Sequence, residues 1–164
     1  MVSAANIAGS GISIENTRIS SKRMEKLAHR QWDRRLFIRE GGTRKRLLGF
    51  LQSTDNVVDS VAEIASQRNP ILALQVSDYG IAETPDQAFY HEVTSCVFIE
   101  RRTGCVLYRT SNIVCVGGWN SADTWKTDDG DSMDMAAKRQ SILDRNHDDA
   151  ELLRPENYNR CAKP

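Results

Sequence analysis

Four cations near the start of the chain, Lys22, Lys26, Arg30 and Arg34, follow one another at intervals of four residues. Side chains at that interval stack on one side of a helix. The spacing therefore predicts a positive stripe on a basic amphipathic helix over 20–35. Met24, Ala28, Trp32 and Leu36 fall on the other side. Ser20 or Ser21 can cap the helix, and Gly41-Gly42 can stop it. Arg44, Lys45 and Arg46 follow closely. Cations at this pitch can neutralise successive phosphates of a nucleic acid and release its counterions, which makes binding salt-sensitive. A solvated helix face is the alternative. Trp32, on the apolar side, suits a core better than a base-stacking platform.

These cations belong to an uneven charge distribution. Lys+Arg and Asp+Glu number 22 each, so the chain is formally neutral. Residues 1–50 nevertheless hold eleven cations against four anions, and the remainder is acidic. Such a bipolar surface suits an anionic partner, or contact between one copy's head and another copy's tail.

Other chemistries find weaker support. In TDDGDSMD, placing Gly130 sixth in a calcium loop puts Trp125 first and Ala136 last, where Asp and Glu are needed. A start at Asp144 fails at Asp149 and Pro155. The cluster reads as a solvated acidic loop, and neither a metal nor another cofactor is expected. His29, His91 and His147 accompany no nucleophile elbow, zinc-protease pair or phosphate-cradling glycine loop. On a strand, Glu92 points away from His91, which argues against an adjacent acid/base pair. No catalytic residue is assigned, and the chain is expected not to be an enzyme. Cys96, Cys105, Cys115 and Cys161 form no Cys-x-x-Cys pair. Three lie in β-like runs, so all are expected as buried free thiols of a reducing compartment.

Residues 1–19 lack a basic lead followed by an apolar run and read as a flexible arm, not a secretory signal. RLFIRE-GG-TRKRLLGFL continues the helix or forms two strands about a Gly-Gly turn, so residues 36–51 stay open. STDNVVDSVAEIASQRNP predicts a helix with Val57, Val58, Val61, Ile64 and Ala65 on its apolar face. ILALQVSDYG reads as a buried strand closed by Gly80, and IAETPDQ as a loop. AFYHEVTSCVFIE and CVLYRTSNIVCV predict a hairpin turning at RRTG, with Gly104 at positive φ. Phe89, Val93, Val97 and Ile99 share one face of its first strand. GGWNSADTWKTDDGDS reads as linker. A helix follows from Met133, its apolar face Met135, Ile142 and Leu143. Residues 146–164 read as a polar, mobile tail. The fold class is thus α+β: a helix-strand-strand-strand-helix core with an antiparallel sheet, in a single domain over 20–145. No stretch is apolar for the length of a membrane span.

From residue 55 that order of elements resembles a double-stranded-RNA-binding domain. VAEIASQRNP is similar to the family's first helix, with Glu63, Gln67 and Arg68 at matching positions. TPDQAFYHEVTSCV resembles its Gly-Pro-x-His loop; Pro85 matches, Thr84 replaces the glycine and Gln87 the histidine. MAAKRQSIL is similar to the alanine-rich last helix. The resemblance covers about 55–145 and implies shape recognition of duplex RNA. It makes Glu63, Gln67 and Gln87 groove-facing, and Lys138 and Arg139 the phosphate contacts of the last helix. The family's lysine cluster is missing there. Asp128, Asp129, Asp131 and Asp134 stand in its place and repel phosphate.

The reading is a non-enzymatic RNA-binding or assembly protein, homodimeric, in the cytoplasm or within a virus particle. An assembly or packaging protein of a double-stranded-RNA virus or phage fits, with RNA and other subunits of the particle as partners. The rival is a protein-interaction domain without nucleic-acid binding. ILALQVSDYG with the hairpin after it looks like the small domains of bacterial envelope lipoproteins. An enzyme with a site built from scattered residues is the third reading.

Overall fold

Runs rich in Val, Ile, Phe and Tyr suit the pleated, half-buried surface of a sheet, and here they pair in chain order. The computed structural model describes residues 3–51, 56–64, 68–110 and 113–164. Strands β1 (Ser3–Asn6), β2 (Ile12–Arg18), β3 (Trp32–Glu40) and β4 (Thr43–Arg46) form one antiparallel meander. Strands β5 (Val57–Glu63), β6 (Ile71–Glu83), β7 (Ala88–Glu100) and β8 (Val106–Arg109) form a second. A small third sheet holds β9 (Gly118–Trp119), β10 (Thr124–Lys126) and β11 (Ser132–Asp134), with β10 central. The helices are short: α1 (Ser21–Lys26), α2 (Met135–Leu143) and α3 (Pro155–Cys161), with a 3-10 turn at Ala150–Leu153.

This mostly antiparallel β architecture overturns the expected α+β core with a leading helix. The helix expected over 20–35 ends after Lys26, and Ala28 and His29 take positive φ. The chain then enters β3, which is hydrogen-bonded on both sides and buries Leu36 and Ile38. Pairing with two neighbours outweighs the helical pattern. Residues 36–51 resolve to the hairpin reading: Gly41 and Gly42 both have positive φ, as a two-residue hairpin turn requires. The second expected helix is β5. Its valines are β-branched, and successive ones serve opposite faces: Val57 enters a small cluster with Ile19, Leu27 and Tyr79, while Val58 enters the main core. Residues 53–55 and 65–67, parts of that expected helix, lie outside the described residues.

β6 and β7 form within the runs that predict strands, but β6 continues through Gly80 to Glu83, taking in part of the expected loop, and the helix expected from Met133 is confined to Met135–Leu143. A Cβ on Gly80 would meet the Asn56 side-chain oxygen at 2.1 Å, so this glycine admits a close neighbour and does not end the strand. Gly104 turns at φ 72° as expected. The second hairpin strand is short, with β8 ending at Arg109. The expected linker carries the third sheet, and the expected arm carries β1 and β2, with Ile12 fully buried.

One core joins the two large sheets to the C-terminal elements. It contains Ile12, Leu36, Ile38 and Leu47 from the first sheet and Leu72, Leu74, Phe98 and Ile99 from the second. Trp125, Met135, Ile142 and Leu152 close it. A polar seam also joins the sheets. Asp33 on β3 binds Arg35 and accepts a hydrogen bond from the Val58 amide, and Arg35 donates to the Asn56 carbonyl.

The four cysteines form two disulfides, Cys96–Cys115 and Cys105–Cys161. This corrects the expectation of free thiols. The fold brings together cysteines 19 and 56 residues apart, which no local spacing discloses. The second bond ties α3 down, so the expected mobile tail is anchored. Asn157, fully buried, donates to the Val106 and Leu152 carbonyls and accepts from the Val106 amide.

Candidate functional site

The cations singled out by the sequence do not share one ridge. Arg30 lies beyond α1, 3.4 Å from Asp59 and 3.6 Å from Glu92, with its guanidinium 4.1 Å over the Tyr79 ring. Arg34 is half-buried on β3 opposite Asn16. On β4, Arg44 pairs with Glu15 at 2.5 Å and Lys45 with Glu40 at 3.2 Å. Arg46 stands near Asp33 and Asp78, with its pKa lowered by burial and by Arg35. Lys138 rests over the Tyr108 ring, and Arg139 binds Glu100 and the Cys161 carbonyl. Most of this charge faces carboxylates, carbonyls or rings of the same molecule.

The proposed groove residues separate as well. Glu63 on β5 neutralises Arg101, a buried clamp that also donates to the Ala8 and Asn69 carbonyls. Gln87 closes the β6–β7 turn through the Thr84 amide and hydroxyl. Gln67 lies outside the described residues. The acidic cluster has local work. Thr127 to Asp131 make the β10–β11 turn, and Asp134 caps α2 by accepting from the Ala136 and Ala137 amides.

Among the described residues Glu40 is the most heavily engaged carboxylate. Burial alone would raise its pKa, but hydrogen bonds from Lys163, Lys45 and Arg160 outweigh that and lower it from 4.5 to about 2. The group ties the β3–β4 hairpin to α3.

Lys22 and Lys26 stay together. With Ser20, Arg23, Leu27, Ile81 and Glu83 they line a cleft of roughly 680 Å³ between α1 and the far end of β6. Its wall mixes three cations, one carboxylate and two aliphatic side chains.

The same end of the molecule carries a second feature. β6 pairs with β7 along its whole length, from Ile71–Glu100 to Glu83–Ala88. On its other side, β7 meets β8 only from Val97 onward, and Ile113 makes a single bridge to Ser95. From Ala88 to Thr94 no strand among the described residues covers that edge. Backbone direction along it follows from the bonds further on. Cys96 and Glu100 turn their amides and carbonyls to this outer side, whereas the Arg101 amide bonds toward the start of β6. Alternation then points the amides and carbonyls of Ala88, Tyr90, Glu92 and Thr94 outward.

Comparison with known protein families, with characterised proteins and with solved structures finds no match to this chain. The edge must therefore be judged on its own chemistry. Phe89 is 45% exposed and Tyr90 53%, and Ile113 and Val114 beyond the edge's far end are 54% and 46% exposed. An open edge is normally guarded by Lys, Pro, a bulge or brevity. β4, at the margin of the first sheet, carries such a guard in the exposed cations Arg44 and Lys45. Residues 88–94 contain no Lys, Arg or Pro, and their one acid, Glu92, faces Arg30 of the same chain. The sequence puts Phe89 on one face with Val93, Val97 and Ile99, but alternation shows which residues share a face and not where cover ends. The contrast between TRKR and AFYHEVT was the signal available.

Proposed function

We propose that the protein is a non-enzymatic interaction domain of an oxidising compartment, and that it captures an extended segment of a protein partner along the outer edge of β7. The unguarded edge from Ala88 to Thr94 carries this reading. Strand addition takes its affinity from main-chain hydrogen bonds and its specificity from alternate side chains. Here the bonds come from Tyr90, Glu92 and Thr94, and Phe89 and Tyr90 offer exposed aromatic surface on either face. Two disulfides support the compartment, since such bonds persist where thiols are not kept reduced. Among the described residues no helix is long and apolar enough to cross a membrane.

The test is selection of short peptides from a random library against the folded protein, with Tyr90→Pro as counter-bait. Proline removes an outward N–H and leaves the β6 ladder in place. Selected peptides are expected to protect the Tyr90, Glu92 and Thr94 amides from hydrogen exchange. Peptides that bind both baits equally overturn the reading.

A second reading, contact with RNA, is favoured by the cleft that gathers Lys22, Arg23 and Lys26. It requires binding to duplex RNA that weakens with salt and is lost in Lys22→Glu with Lys26→Glu. Absence of binding at low salt removes it.

A further inference from the structure

We propose that the segment taken up by β7 is β7 of a second copy, paired antiparallel about a twofold axis at His91. This rests on the strand-addition reading and names its occupant. The length of the edge and the direction of its backbone groups carry the argument.

The open edge has limits at both ends. The Thr84–Gln87 turn precedes Ala88, and Ile113 occupies the place beside Ser95. Seven residues remain, and His91 is the middle one. Twofold pairing about His91 sets Ala88 against Thr94, Phe89 against Val93 and Tyr90 against Glu92, each twice. This is the twofold register that uses the whole edge.

Direction agrees with length. In an antiparallel pair, residues with outward amides must face residues with outward amides. Ala88, Tyr90, Glu92 and Thr94 are those residues, and this register matches them only with one another. Moving the axis to Glu92 keeps the parity but opposes that carboxylate to itself; moving it to Tyr90 leaves Val93 and Thr94 without partners.

The side chains fit as well. Phe89 opposite Val93 is an aromatic–β-branched pair, a favourable cross-strand combination. Exposed Ile113 abuts the end of the added strand, beside the partner copy's Ala88 and Phe89. Glu92 is held by its own Arg30 at 3.6 Å, which reduces charge repulsion near the axis.

Sedimentation of the oxidised chain over a concentration series tests the pairing. A reversible dimer is expected. Tyr90→Pro removes one edge donor from each copy and should weaken association by about 100-fold. Phe89→Asp, at an exposed site that leaves the core intact, should also weaken it. The register has its own test. Residues facing across the axis at a non-hydrogen-bonded position have Cα atoms about 4.5 Å apart, within disulfide reach. His91→Cys should therefore cross-link two copies under oxidation, and Thr94→Cys should not. A chain that stays monomeric, or a dimer untouched by both Tyr90→Pro and Phe89→Asp, overturns the proposal. Cross-linking through Thr94→Cys in preference to His91→Cys overturns the register. Selected peptides that bind a monomeric protein at this edge would sink the self-pairing alone and leave strand addition standing.

Discussion

Replacing Glu40 by Gln tests the junction between the β3–β4 hairpin and the C-terminal helix. The Glu40 carboxylate lies 3.1 Å from Arg160, 3.0 Å from Lys163 and 3.2 Å from Lys45. Its pKa falls from 4.5 to about 2. A depression of that size corresponds to about 3 kcal/mol of stability when the group is ionised. Lys45 and Lys163 are half exposed, and solvent screening around them discounts the figure to about 2 kcal/mol. Arg160 is different: it is 4% exposed, and its charge loses its carboxylate partner in the variant. Because the folded pKa is depressed, this stability is complete above 4.5 and is lost as pH falls through about 2. Urea titrations across that window, on parent and Glu40→Gln, check both size and sign. The curves should lie about 2 kcal/mol apart near neutrality and converge in acid. A gap below about 0.5 kcal/mol near neutrality, or one that persists in acid, refutes the assignment.

Replacing Cys105 and Cys161 together by Ser opens a loop of 56 residues. Loop entropy sets the expected cost at about 4 kcal/mol, read as a lower urea midpoint, with the slope rising as the unfolded chain expands. Gly80→Ala forces a Cβ toward the Asn56 oxygen and His91; a loss of about 1–3 kcal/mol in thermal unfolding is expected. Asp78→Asn should stabilise the protein near neutrality. Burial raises the Asp78 pKa, with Asp33 adding to this and Arg35, Arg46 and Arg109 opposing it. Full stability is therefore present below the unfolded carboxyl pKa and declines as pH rises through the folded one. The gain over the parent should fade in acid, which melting curves across pH can follow.

The elements legible in the sequence were those whose pattern admitted one partner arrangement. ILALQVSDYG and AFYHEVTSCVFIE form strands, MAAKRQSIL forms a helix capped by Asp134, and the two Gly-marked turns fall in place. Residues 20–35 misled because intervals of four describe a helix only if the chain coils. Arg34 and Leu36 instead belong to a strand with neighbours on both sides. Val57, Val58 and Val61 suit a helical face and a strand equally, and pairing with β6 decided between them. The candidate site was less legible. Unpaired length along an edge depends on where β8 stops, at Arg109, and no local pattern marks that end. Disulfide partners are hidden for the same reason: they are set by topology.

The attachment of α3 has a consequence for how the chain matures. Cys105, Glu40 and Val106 all wait for partners between Asn157 and Lys163. A ribosome or export channel that still holds those residues leaves the middle of the domain unlatched. Closing this latch therefore requires the residues from Asn157 to Lys163, and forming its disulfide requires an oxidant.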